Sequence, residues 1–234
     1  RRSSDLFSQG STTGDGIEIN FVGLAYNGAG LANANVAVIN NRISTGAGNG
    51  SADLLSDGLS GGDGIRASSI DGVVTVADNS MNSLGNDGIQ LNNINGMSSV
   101  VGNSLTAVST LSGTGDGIVV ENTGGLFASN ADVGEDGTVY IASNHVFAVI
   151  GAAALDTDTI AGGVALSAGD GIRVAAVDGD VVIGADAGTR NTVSGIAGDG
   201  IQVFSVTGNG AGAQAVLISH NLVTNVGTDR KSVV

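Results

Sequence analysis

The chain has 234 residues, with 40 glycines, no proline, no cysteine, no tryptophan and a formal net charge of −14. Such an acidic chain does not suit nucleic acid or anionic membrane surfaces, which recruit Lys and Arg. The absence of cysteine excludes a disulfide framework and thiolate metal sites. An apolar share of 41% is enough to bury a core, and no strict three-residue glycine period points to collagen. No run of 18 apolar residues is present to span a bilayer, so no direct membrane insertion is expected.

In chain order, the first acidic turn, GDGI, opens at Gly14 and places Asp15 before the alternating pair Ile17/Ile19. An insertion (22–35) separates it from a second pair, Val36/Val38, and from Asn41/Ile43. A further insertion (44–60) leads to Asp63 and Ile65, then Gly72, Val74/Val76, Asn79/Met81 and Leu84. The turn at Asn86 reads NDGI and gives Asp87, Ile89/Leu91, Gly96, Asn103/Leu105 and Val108. The fourth copy runs from Asp116 through Ile118/Val120 and Gly125, across an insertion (122–137), to Val139/Ile141, Asn144/Val146 and Val149. After an Ala/Gly-rich insertion (152–168) come Asp170, Ile172/Val174, Gly179, Asn191/Val193 and Ile196. The last copy holds Asp199, Ile201/Val203, Gly208, Val216/Ile218, Asn221/Val223 and Val226.

The six turn aspartates are spaced unevenly, yet each is followed by one Asn marker, with no unit skipped. Asp63 to Asn79 and Asp87 to Asn103 are the shortest steps from Asp to Asn, and they are equal. Asn79 to Asp87 and Asn191 to Asp199 are the shortest steps from Asn to Asp, and they too are equal. The minimal unit is therefore the one from Asp63 to Asp87, a step of 24, and longer units carry insertions at two fixed places. Apolar residues at period two over short β-branched runs indicate strands with one buried face. The recurring glycine seven positions after the turn isoleucine marks a tight bend. Two or three short strands cannot bury their inner face alone, and stacking successive units pairs each strand with its copy above and below. The fold class predicted is all-β: a right-handed parallel β-helix (solenoid) of six rungs, its hand following the rule for parallel crossovers. Ile17, Ile65, Ile89, Ile118, Ile172 and Ile201 are expected to form one inward stack. Asn41, Asn79, Asn103, Asn144, Asn191 and Asn221 are expected to form a ladder of amides bonded from rung to rung.

The aspartates Asp15, Asp63, Asp87, Asp116, Asp170 and Asp199 read as turn residues, each carboxylate accepting N–H bonds from its own loop. Calcium is the competing reading, because carboxylates at rung spacing repel by about 0.9 kcal/mol per adjacent pair in water and Ca²⁺ relieves that. The segment LSGGDGI is similar to part of a calcium-binding nonapeptide repeat, but the nine-residue spacing is absent. Adjacent rungs alone supply fewer oxygens than the six to eight that Ca²⁺ takes, so no metal and no cofactor are expected.

The run VVIGADAGTRNTVSGIAGDGIQV (Val181 to Val203) resembles right-handed parallel β-helix repeats of large bacterial extracellular and autotransporter-like proteins, broadly of the pectate-lyase-like fold. The resemblance covers residues 12–227. It implies an extracellular or cell-surface location, as adhesin, passenger stalk or polysaccharide-active enzyme, with surface polysaccharide or protein as partner. Polygalacturonase-like members carry Asn-Thr-Asp, Asp-Asp, Gly-His-Gly and Arg-x-Lys motifs. Here DTDT (Asp156, Asp158) and NRIS (Arg42) echo these poorly, and Gly-His-Gly is missing. Asp156 and Asp158 are read as part of a solvated loop. Arg66 and Arg173 each follow the turn isoleucine, so alternation points them outward, where they neutralise the acidic corner. His145 and His220 adjoin the Asn marker with no nucleophile beside them and read as surface residues. No catalytic site is expected, and the role implied is structural or adhesive; a carbohydrate-active enzyme is the alternative.

The ends differ from the repeat. RRSSDL and DRKSVV hold Arg1, Arg2, Arg230 and Lys231, half of the basic residues of the chain. DRKSVV written as GAT CGG AAG AGC GTC GTG has a reverse complement that encodes RRSSD and then a codon compatible with Leu. That segment resembles a sequencing-library adapter. Residues 1–11 and 228–234 are therefore read as non-native or disordered flanks, and the chain as a fragment of a longer exported bacterial protein. A β-helix without caps invites end-to-end self-association.

Overall fold

A computed structural model describes residues 15–22, 34–44, 62–82, 84–108, 115–124, 137–149, 155–159, 165–167, 169–207 and 216–226. Among them there is no helix. Three six-stranded sheets are stacked so that successive rungs are hydrogen-bonded neighbours in each, and every pairing in them is parallel. The protein is a parallel β-helix of six rungs.

Sheet one contains Ile17–Val22, Ile65–Ile70, Ile89–Ile94, Ile118–Thr123, Ile172–Val177 and Ile201–Val206. Sheet two contains Ala34–Ile39, Gly72–Ala77, Ser98–Val101, Val139–Ala142, Val181–Ile183 and Val216–Ile218. Sheet three contains Arg42–Ser44, Ser80–Asn82, Ser104–Val108, His145–Val149, Thr192–Ile196 and Leu222–Val226. Insertions leave the register intact. Ile65 pairs with Ile89 across the shortest unit, and Ile118 pairs in the same way with Ile172 across the longest.

The turn isoleucines are in register from rung to rung, each pairing with its copy above and below. Ile65, Ile89, Ile118 and Ile172 are sealed from solvent, Ile201 is nearly so, and Ile17 is half-buried at the first rung. Sheet two adds Val74/Val76, Val139/Ile141 and Val181/Ile183, and sheet three adds Met81, Leu105, Val146 and Val193. Burying a side chain of this size is worth about 1.5–3 kcal/mol, so the columns supply the main driving force for stacking. One position departs from the pattern. Ser98 stands in the column Val36, Val74, Val139, Val181, Val216, fully buried, and its Oγ has no hydrogen-bond partner.

The first corner lies elsewhere than the glycine spacing suggests. The residue four after the turn isoleucine is left-handed in five rungs: Ser69, Asn93, Asn122, Ala176 and Ser205, with φ between 52° and 58°. Register skips that residue, so the strand bends there while hydrogen bonds resume one residue later. Gly72 and Gly179 do have positive φ, but as entry residues of sheet two, and Gly96 does not. Gly125 and Gly208 lie outside the described residues. The second corner uses another left-handed residue directly before the Asn marker: Asn40, Asp78, Gly102, Ser143 and His220. In rung five an insertion moves this role to Gly184.

Leu155–Thr159, which contains Asp156 and Asp158, is a strand paired antiparallel with Ala165–Ser167, not an irregular loop. Its threonine-rich alternation is itself strand-forming. Most of the other insertions, and the terminal hexapeptides, lie outside the described residues.

Candidate functional site

The acidic corner is built by close approach of one rung to the next. The glycine after each turn aspartate needs no left-handed backbone; it is required because there is no room for a side chain. A Cβ on Gly16 would lie 2.6 Å from the carbonyl O of Gly64, and one on Gly64 would lie 2.6 Å from that of Gly88. On Gly171 it would lie 2.6 Å from the Gly200 oxygen. Real Cβ contacts are not that short, so only glycine lets these backbones stack while Ile17 and its counterparts enter the core.

The carboxylates of the first five turn aspartates then each cap the following rung. Asp15 Oδ1 accepts the N–H groups of Gly62 and Asp63, at 2.8 and 3.0 Å. Asp63 Oδ1 accepts the Asp87 N–H at 3.0 Å and Asn86 Nδ2–H at 2.9 Å. Asp87, Asp116 and Asp170 each accept the N–H of the next turn aspartate at 2.6 Å. This corrects the expectation that each carboxylate is satisfied within its own loop. A column of carboxylates sews successive rungs together, and Asp63, Asp116 and Asp170 are fully buried in it.

Such a column is costly without cations. Arg66 and Arg173 are on the outward face of sheet one and meet the acidic corner, as the alternation predicts, and they are buried there, 0% and 1% exposed. Both faces of Ile65–Ile70 and Ile172–Val177 are buried. Arg66 Nη1 is 3.4 Å from Asp15 Oδ2, one rung back. Arg173 Nε is 3.2 Å from Asp116 Oδ2, again one rung back, and its Nη2 is 3.7 Å from Glu121. Gln90 occupies the matching outward position in rung three, fully buried.

Burial raises the Asp15 carboxyl above the ordinary value, opposed by the N–H groups of Asp63 and Gly62 and by Arg66. Asp63 is pushed well above the ordinary value, first by burial and then by the charge of Asp15, with Asn86, the Asp87 N–H and Arg66 opposing. Paired carboxylates with one elevated member can perform acid–base chemistry. Here, however, the groups are out of contact with water, and their Oδ1 atoms are engaged by backbone. The arrangement stores charge inside the stack and offers no open face to a substrate.

The second corner contains the asparagine ladder. Nδ2 of Asn41, Asn79, Asn103, Asn144 and Asn191 donates to Oδ1 of the next Asn at 2.9–3.0 Å. The same Oδ1 accepts that preceding residue's backbone N–H, at 2.9–3.0 Å in the first four steps and 3.3 Å at Asn191→Asn221. The second Nδ2 proton of Asn79, Asn103, Asn144, Asn191 and Asn221 goes to a backbone carbonyl of the previous rung. No amide capacity is left for a ligand at the inner rungs.

Outside the helix the chemistry is different. The outward side of sheet three carries Ser80, Asn82, Ser104, Thr106, Thr192, Ser194 and Thr224, none of them buried. In its middle the exposed His145 and Phe147 stack with centroids 6.4 Å apart and rings inclined by 12°. His220 is exposed and holds a left-handed corner; Arg42 is exposed at the first rung. Among the described residues no three His, Asp or Glu side chains are grouped to hold a metal ion. No helix there is long and apolar enough to cross a membrane. No protein-family model matches the chain, and no curated protein and no solved structure shows significant similarity to it.

Proposed function

We propose that the chain is a segment of an exported bacterial surface or secreted protein in which the β-helix acts as a stiff stalk with a structural or adhesive role. The observation that carries this reading is where the charge is placed. Asp63, Arg66, Asp116, Asp170 and Arg173 are committed to rung-to-rung bonds behind buried faces, while the accessible flank of sheet three offers short hydroxyl and amide side chains. That distribution supports a scaffold whose binding, if any, uses neutral polar contacts.

The second reading, a carbohydrate-active β-helix, draws support from the exposed His145–Phe147 stack, since an aromatic face among hydroxyls suits a sugar ring. Incubating the chain with a panel of neutral and acidic polysaccharides, and measuring new reducing ends and unsaturated products, separates the two. The scaffold reading expects no turnover on any of them. Turnover abolished by substitutions in the chain would overturn it.

A further inference from the structure

Two of the turn aspartates divide their oxygens between two tasks. Asp15 Oδ1 accepts the Asp63 N–H, and Asp15 Oδ2 meets Arg66, three residues beyond that N–H, at 3.4 Å. Asp116 does the same. Its Oδ1 accepts the Asp170 N–H, and its Oδ2 meets Arg173, again three residues beyond, at 3.2 Å. Between rungs two and three the first half of this arrangement is kept, because Asp63 Oδ1 accepts the Asp87 N–H at 3.0 Å. Three residues beyond Asp87 stands Gln90, in register with Arg66 on one side and, through Val119, with Arg173 on the other. The second half is missing there. Asp63 Oδ2 has no hydrogen-bond partner, and neither has Gln90 Oε1 or Nε2, although both side chains are fully buried.

We propose that Asp63 Oδ2 and Gln90 Oε1 hold one small monovalent cation, sodium or potassium, in the place that the guanidinium groups of Arg66 and Arg173 take in their own rungs. A buried charge is stable when it is paired or coordinates a metal. Arg66 also acts on Asp63, but it is engaged with Asp15, and the Asp15 charge itself bears on Asp63. Gln90 stands where an arginine would balance Asp63, and it offers a carbonyl oxygen instead of a positive charge. A carboxylate and a side-chain carbonyl are the oxygen donors that hard cations take. One carboxylate calls for one positive charge, whereas Ca²⁺ wants six to eight oxygens. An ion at a single carboxylate differs from calcium shared along the column, and it replaces the expectation of no metal at this position alone. The inference rests on the interior of the stack and is independent of the scaffold reading.

Thermal melting of the whole chain at neutral pH in sodium, potassium or choline chloride tests it. Equal ionic strength keeps general screening the same, and choline is too large for the site. The melting temperature should be higher in at least one alkali salt than in choline, and should rise with the concentration of that salt by mass action. Gln90→Leu removes the amide oxygen at similar volume, and Gln90→Arg supplies the guanidinium; both should melt alike in the three salts. Asp63→Asn should also lose the preference, so its advantage over the parent should be larger in choline than in the favoured alkali salt. Gln202→Leu, at the matching position of rung six, should keep the preference of the parent. If the Gln90 variants fail to fold by circular dichroism, Asp63→Asn decides. Equal melting temperatures of the parent in all three salts, the result expected if a proton or a water alone serves Asp63, overturn the proposal. So does a salt preference that survives Asp63→Asn or Gln90→Leu, or one that Gln202→Leu also removes.

Discussion

Replacing Asn144 with Ala removes a central member of the asparagine ladder, and the structure sets the cost. Asn144 Oδ1 accepts the backbone N–H of Asn103 and its Nδ2–H, both at 3.0 Å. Its own Nδ2 donates to Asn191 Oδ1 at 3.0 Å and to the Val100 carbonyl at 2.8 Å. With Ala in its place the Asn103 N–H is stranded in a buried position, a loss of about 1–3 kcal/mol, and the remaining lost bonds add about 0.5–1.5 kcal/mol each where nothing replaces them. A net destabilisation of about 3–4 kcal/mol is expected, a large share of the roughly 5–15 kcal/mol typical of a folded domain. Asn221→Ala is the internal control. Asn221 makes the same kinds of bond downward, to Asn191 and Ile183, but sits half-buried at the last rung, where water can replace them. It should cost about 1 kcal/mol or less. Urea denaturation followed by circular dichroism measures both. Equal costs at the two sites, or a loss under about 1 kcal/mol at Asn144, would refute the reasoning that the ladder's worth comes from burial.

Asp63→Asn keeps the oxygen that accepts from Asp87 and Asn86 while removing a buried charge between Asp15 and Asp87 and near Arg66, and should raise stability at neutral pH. Because the folded Asp63 carboxyl is held above its unfolded value, the folded state keeps a proton that the unfolded state releases. Stability from this group therefore falls as pH rises from the ordinary carboxylate range through the elevated value, and melting curves of Asp63→Asn should lose that slope. Ser98→Val restores the valine column and removes an unpartnered hydroxyl, so a gain of about 1–2 kcal/mol is expected in the same urea assay. Gly64→Ala must push the Gly88 carbonyl, 2.6 Å from the new Cβ, and should cost about 1–3 kcal/mol or more. Gly188→Ala, whose nearest neighbour is Asp186 Oδ1 at 3.2 Å in an exposed turn, should be nearly neutral; similar losses at both would argue against rung crowding. Calcium should move the melting temperature little, and a rise of many degrees abolished by Asp199→Asn would show shared ions instead.

The sequence alone carried the rung count, the length of the minimal unit, a rung of two or three short strands and the inward residues. All four follow from local alternation and from two markers that recur in step. It also carried the positions of the Asp and Asn markers, since a side chain that bonds its own copy one rung away must recur at each rung. What the aspartates bond was not legible, because an Asx turn and a rung-to-rung cap use the same residues. The difference lies in contacts between Asp63 and Asp87, or Asp116 and Asp170, far apart along the chain. The glycine after each aspartate was legible as a requirement but not as crowding, which exists only once Gly64 lies against Gly88. The left-handed corners went unread because Ser69 and Ala176 give no local sign of positive φ; the stacked hydrogen bonds on either side impose it. Arg66 and Arg173 show the limit most clearly. Period two assigns a side chain to a face of its sheet, but whether water reaches that face depends on what else packs there, and only the tertiary structure decides that.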